Sequence, residues 1–122
     1  MIDDDIDDQE VFEMALQKIE GDFNFIVAHD GEEGLQKLRR NDSFIPDFIF
    51  LDINMPRMDG MQCLPEIRKL KHLQHSRIIM YSTTNDEKVR QASQQLGADA
   101  FMVKPSKLNL LINDLTSIIE KL

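Results

Sequence analysis

Five side chains of this 122-residue sequence stand where chemistry could be assembled: Asp3 and Asp4, Asp52, Ser82 and Lys104. Each follows a short apolar run, respectively Met1-Ile2, Phe48–Leu51, Ile78–Tyr81 and Phe101–Val103. If those runs are parallel strands, the three carboxylates, the hydroxyl and the ammonium converge on one rim, because ligands of open α/β sheets sit beyond the carboxyl ends of the strands. Carboxylates packed together repel and raise one another's pKa unless a cation joins them. Mg²⁺, or Mn²⁺ in its place, suits that demand: it is a hard cation that takes one or two carboxylates, waters and phosphate oxygens. With Mg²⁺ and Lys104 added, the formal charges of the three carboxylates cancel. A phosphoryl group arriving there would meet a metal, an ammonium and a hydroxyl donor, with a carboxylate as nucleophile.

The elements that must position these residues alternate along the chain. Phe12, Ala15, Leu16 and Ile19 recur at helical spacing before Gly21, and Phe23 to Ala28 reads as a short strand. Gly31–Arg40 carries Leu35 and Leu38 as a short helix. The continuous apolar run Phe48–Leu51, between Pro46 and Asp52, suits a strand buried on both faces. Leu64, Ile67 and Leu70 mark a third helix, starting either at Asp59, where Pro65 would kink it, or near Leu64, where Pro65 is well placed. Ile78–Tyr81 is the next buried strand. Asn85 is a candidate cap for a helix ending at Gly97, Ala100–Val103 is a last strand, and Leu108 to Leu122 has the strongest helical pattern. Such alternation implies an α/β fold with a parallel sheet and helices on both faces, one domain over residues 1–122.

Composition narrows the function classes. Residues 1–34 hold 12 acidic groups and one basic, a net −11, whereas residues 35–122 sum to +3. That balance argues against direct nucleic-acid binding, which needs clustered Lys and Arg. No apolar run approaches the ~20 residues of a membrane span. The single Cys63 cannot form an intramolecular disulfide, and the absence of signal-like regions points to a cytoplasmic setting.

Leu51-Asp52-Ile53-Asn54-Met55-Pro56-Arg57-Met58-Asp59-Gly60 resembles the phospho-acceptor signature of the two-component response-regulator receiver family, with a single-domain, chemotaxis-regulator-like layout. Ile2-Asp3-Asp4-Asp5, Asp30-Gly31-Glu32-Glu33, Tyr81-Ser82-Thr83 and Lys104-Pro105 are similar to its other landmarks, in the right order over essentially the whole chain. The resemblance implies a flavodoxin-like, doubly wound sheet of five parallel strands in the order 2-1-3-4-5, with five helices. It implies that Asp52 accepts a phosphoryl group from a histidine kinase or a histidine phosphotransfer protein. Asp4 and Asp52 would ligate the cation directly, Asp3 through water and Asn54 through its backbone carbonyl. Lys104 would pair with the phosphoryl group or, before it arrives, with Asp52; Ser82 would swing in to meet the phosphoryl group, and Phe101 would change rotamer. Asn54 and Thr84 would tune phosphoryl lifetime, and the Lys104–Pro105 peptide is expected to be cis. Output would pass through the face of the fourth helix, fifth strand and fifth helix, Asn85–Gly97 with Ser106–Lys121, to a protein target in trans or to a phosphorylation-linked dimer.

Two departures stand out: only Met1 and Ile2 stand before the acid pair, where the first strand of the resembled fold is usually several residues longer, so either residues are missing ahead of Met1 or the strand is short; and Phe101 replaces the commoner tyrosine. Simpler readings compete for several residues. Asp7, Asp8 and Glu10 read as a solvated helix start, and a calcium loop fails because Asp8 and Met14 stand where Gly and Glu belong. His72 and His75 read as surface residues, and His29 and Cys63 as structural. Two other functions are weighed against the receiver. A phosphorylation-independent interaction module on the same fold would follow from loss of an acid, the lysine or the acceptor, none of which is lost. A metal-dependent phosphatase wants a second acid two residues after the nucleophile, where Asn54 stands.

Overall fold

The computed structural model describes residues 1–122. Three parallel strands, β1 (Phe48–Asp52), β2 (Arg77–Ser82) and β3 (Ala100–Val103), form its sheet in the order β1-β2-β3. Five helices flank it: α1 (Ile6–Gln17), α2 (Gly31–Arg40), α3 (Gly60–Arg68), α4 (Glu87–Gln95) and α5 (Leu108–Lys121).

The two remaining expected strands are reduced to single-residue bridges, in which Ile2 pairs in parallel with Ala28 on one side and Leu51 on the other. Phe23–Val27 is therefore not a strand, contrary to its apolar pattern. A ladder needs successive paired residues, and Ile2 is the one residue that bridges to this segment, through Ala28. The order across the sheet, Ala28, Ile2, β1, β2, β3, nevertheless keeps the doubly wound 2-1-3-4-5 arrangement.

Strand alternation divides the core between the two faces. Ile49 and Leu51 of β1, with Ile78 and Met80 of β2, pack against Leu35, Leu38, Leu64 and Ile67 of α2 and α3. Phe50, Ile79 and Tyr81 point the other way, toward Phe12 and Ala15 of α1 and Leu111 and Leu115 of α5. Phe12 anchors that side, edge-on to Phe50 at 4.8 Å and to Tyr81 at 5.7 Å between ring centroids. Cys63 is buried, and burial pushes its thiol up to about 11, a structural rather than reactive cysteine.

Capping residues set where the helices begin. Asp5 caps α1 by accepting from the Asp7 and Asp8 N–H groups, and Asp30 caps α2 by accepting from Glu33. Asp59 and Gln62 form a reciprocal capping box, so α3 begins at Gly60 and contains Pro65. At α4 the cap is Asp86 rather than Asn85, whose side chain instead accepts from Arg90. Gly97 closes that helix at φ +111°, a region that favours glycine. His72 departs from its surface reading: it is half-buried, with Nε2 2.9 Å from the Leu38 carbonyl oxygen.

Candidate functional site

Strand register brings the chemistry-bearing residues together. Ile2 donates to the Phe50 carbonyl at 2.8 Å and accepts from the Asp52 N–H at 2.9 Å, which sets Asp3 beside the end of β1. Asp52 is in register with Tyr81, immediately before Ser82, and Ser82 with Val103, immediately before Lys104. The Lys104 N–H then donates to the Ser82 carbonyl at 2.7 Å, so the lysine leaves the sheet over the same rim.

Asp3, Asp4 and Asp52 each present a carboxylate oxygen within 4.8 Å of the others. Asp3 is wholly buried and Asp52 is 3% exposed, whereas Asp4 faces solvent. One Asp3 oxygen accepts from the Asp5 N–H at 2.9 Å; the other, Oδ2, is buried without a hydrogen bond. Lys104 Nζ lies 3.3 Å from it, within ion-pair reach but not aligned as a donor. The same Nζ is 3.3 Å from Asp52 Oδ1 and 2.6 Å from Asp8 Oδ2.

The electrostatics follow from this crowding. Burial pushes the Asp52 carboxyl up to about 7, the Asp3 charge adds to the rise, and Lys104 opposes it. Burial likewise raises Asp3, against the pull of its Asp5 hydrogen bond and Lys104. For Lys104, burial works against the charge, but the Asp8 hydrogen bond and the Asp3 and Asp52 charges outweigh it and leave the pKa raised. A buried carboxylate oxygen without a hydrogen bond, together with two further carboxylates, makes the all-oxygen donor set that a hard divalent cation satisfies.

The other expected residues have definite places. Ser82 is wholly buried and its Oγ accepts from the Thr84 N–H at 3.1 Å. Asn54 is exposed, and its N–H donates to Asp52 Oδ1 at 3.3 Å. Phe101 is half-buried under the Arg90 guanidinium, 4.7 Å from the ring centroid. The Lys104–Pro105 peptide is trans, since the chain contains no cis bond, and this corrects the expectation. The trans form is preferred by roughly 0.5–1 kcal/mol before proline, and here Lys104 already continues the ladder from β3.

The loop between β1 and α3 is held at both ends. Arg57, at φ 67°, carries its guanidinium to Asp30 Oδ2 at 3.1 Å, tying the loop to the cap of α2. Gly60 packs so closely under the strand end that a Cβ there would run into the Asp52 carbonyl oxygen and come within 2.8 Å of the Ile53 Cα. Asp8 is the site residue that sequence reasoning missed. Its signal was its position in the first turn of the helix capped by Asp5, one turn from the acid pair.

A family model described as response regulator receiver domain matches residues 1–116. The chemotaxis protein CheY of Bacillus subtilis is 33% identical over 100 residues, covering 82% of each chain. Among solved structures, the phosphorylated cyanobacterial phytochrome response regulator RcpA superposes with a TM-score of 0.86 at 26% identity, covering 98% of this chain and 88% of that one. Borrelia burgdorferi CheY, in a complex with CheX, BeF3 and Mg²⁺, gives a TM-score of 0.81 at 32% identity, over 97% and 85% of the two chains. With Asp3, Asp4, Asp52 and Lys104 gathered at the carboxyl end of a parallel sheet, this chain belongs to the response-regulator receiver family of two-component signalling.

Proposed function

We propose that Asp52 accepts a phosphoryl group from the phosphohistidine of a sensor kinase or phosphotransfer protein, and that the resulting change is read by another protein in the cytoplasm. The observation that carries this reading is the Asp3 oxygen buried without a hydrogen bond beside Asp52 and Lys104 at the strand ends. Asp3, Asp4, Asp52 and the Asn54 backbone carbonyl would hold Mg²⁺ or Mn²⁺, which supplies charge neutralisation for the carboxylates and for the incoming phosphoryl oxygens.

The chain's own groups supply the remainder. An Asp52 carboxylate oxygen attacks phosphorus as the bond to the donor imidazole nitrogen breaks and that nitrogen keeps the electron pair. Asp52 must be ionised to do so, and its raised pKa means that the positive charges about it govern the ionised fraction near neutral pH. Lys104, 3.3 Å away, is positioned to pair with a phosphoryl oxygen. The Ser82 hydroxyl hydrogen is free to donate, because its oxygen is what Thr84 uses. Movement of Ser82 would be transmitted through Phe101 to α4, β3 and α5, with Arg90 riding on the ring. Asn54 and Thr84 flank the acceptor and would set the lifetime of the acyl phosphate.

Intact mass after incubation with acetyl phosphate tests the reading. One added phosphoryl group that requires both Mg²⁺ and Asp52 is the expected result. A folded protein that takes none, and that binds no beryllofluoride, would instead be a phosphorylation-independent interaction module.

A further inference from the structure

Lys104 has a partner that phosphoryl acceptance does not require. Its Nζ donates to Asp8 Oδ2 at 2.6 Å, its only hydrogen bond, while the acceptor Asp52 and the acid-pair member Asp3 each stand at 3.3 Å. The contact joins residues 96 apart in sequence and is shielded, with the Lys104 side chain 12% and the Asp8 side chain 32% exposed. Asp8 is held in place by backbone, since its N–H bonds to the Asp5 cap and the next residue, Gln9, donates its side-chain amide to the Asp3 carbonyl at 2.6 Å. Helix α1 thus presents the Asp8 carboxylate, on an anchored backbone, to the ammonium on the rim. A short charge-assisted bond outcompetes two longer, unaligned ion pairs for the lysine's position.

We infer that Asp8 is a positioning residue that holds Lys104 back from Asp52, so that a phosphoryl group must compete with Asp8 for the lysine. This rests on the proposed function, and it assigns to α1 a brake on the reaction at Asp52. The lysine's three N–H donors allow it to be handed over without leaving Asp8 at once. The exchange is one acceptor for another and needs no proton transfer.

The test is the initial rate of phosphoryl uptake from acetyl phosphate at saturating Mg²⁺, followed by intact mass. Four variants are compared with wild type: Asp8→Asn, Asp8→Glu, Lys104→Met, and Asp8→Asn combined with Lys104→Met. Asp8→Asn, of the same shape but without charge, is expected to react roughly tenfold faster, equivalent to about 1.4 kcal/mol. Asp8→Glu restores the carboxylate and is expected to return the rate to within about twofold of wild type. In the Lys104→Met background the Asp8→Asn gain is expected to shrink below about twofold, because the brake acts through the lysine. An unchanged or slower rate for Asp8→Asn overturns the inference. So does a tenfold gain that persists without Lys104, which would make Asp8 a source of general repulsion. Wild type sets the reference: if it takes no phosphoryl group while folded, the proposed function itself fails, whereas normal labelling of wild type with indifferent Asp8 variants removes only the brake.

Discussion

Two charged clusters sit at opposite ends of the sheet, and they are built on opposite terms. At the amino ends of the strands, Arg68 donates to the carbonyls of Gly97, Leu73 and Ser76 at 2.8, 3.2 and 3.1 Å and to Asp99 at 2.6 Å. Asp99 Oδ2 in turn accepts from the first buried residue of β2, Ile78, at 2.8 Å. At the carboxyl ends, Asp3, Asp4 and Asp52 crowd together, the lysine beside them gives its hydrogen bond to Asp8, and a buried Asp3 oxygen has no hydrogen bond. The first cluster is saturated and joins α3, α4, β2 and β3; the second is left short of positive charge. Saturated networks stabilise a fold, whereas an under-neutralised one stores a preference for whatever cation or donor arrives.

The largest difference between the poles should appear in chemistry. Asp52→Asn is expected to abolish phosphoryl uptake from acetyl phosphate completely, by intact mass, while Arg68→Ala labels at the wild-type rate below its unfolding temperature. Labelling of Asp52→Asn at an unchanged rate would erase the contrast.

Stability should show the reverse. Arg68→Ala removes four hydrogen bonds and leaves Asp99 without its closest partner, so a loss of about 2–4 kcal/mol is expected in urea unfolding, allowing for the partial exposure of the pair. Asp52→Asn, by contrast, should stabilise the metal-free protein. Burial raises the folded-state pKa of Asp52 from the ordinary 3.8 to about 7. A group raised in the folded state contributes stability that is fully present below its unfolded pKa and lost as pH climbs through the folded one. Between pH 4 and 7 the wild type therefore loses a contribution that the asparagine variant keeps. Its Tm at pH 8 should exceed wild type by roughly 3–6 °C, about what 1 kcal/mol yields in a chain of this size, and the gap should close at pH 4. The smallest effect is expected from Asp99→Asn, whose amide oxygen can still accept from Ile78 and Arg68: about 1 kcal/mol or less by the same unfolding experiment.

How legible each pole was in the sequence follows from the same physics. Strands β1 and β2 are apolar on both faces, so composition alone marked them, and the strand-end position marked Asp52, Ser82 and Lys104. The receiver resemblance supplied strand order and residue roles that periodicity could not. Phe23–Ala28 misled because strand structure belongs to a pair, and its partner is one residue long. The Arg68–Asp99 clamp and the Asp8–Lys104 bond escaped for a related reason: they join residues 31 and 96 apart, and a charge run says nothing about which charge is met. Asp8 in particular looked like an ordinary first-turn acid, which it also is. Asp86 displaced Asn85 as a cap because both types serve equally and only tertiary geometry chooses. His72 gave no sign of burial, since its tether is a backbone carbonyl 34 residues away.

Thermal unfolding with Mg²⁺ and beryllofluoride, for wild type and Asp52→Asn side by side, tests most directly whether the acidic rim is the ligand-seeking pole. A ligand that binds only the folded state adds about 2.7 kcal/mol at a hundredfold excess over Kd, so wild type should gain roughly 10 °C and Asp52→Asn almost none. An equal shift in both proteins, or none in wild type, would contradict the assignment of that rim as a cation-dependent phosphoryl acceptor.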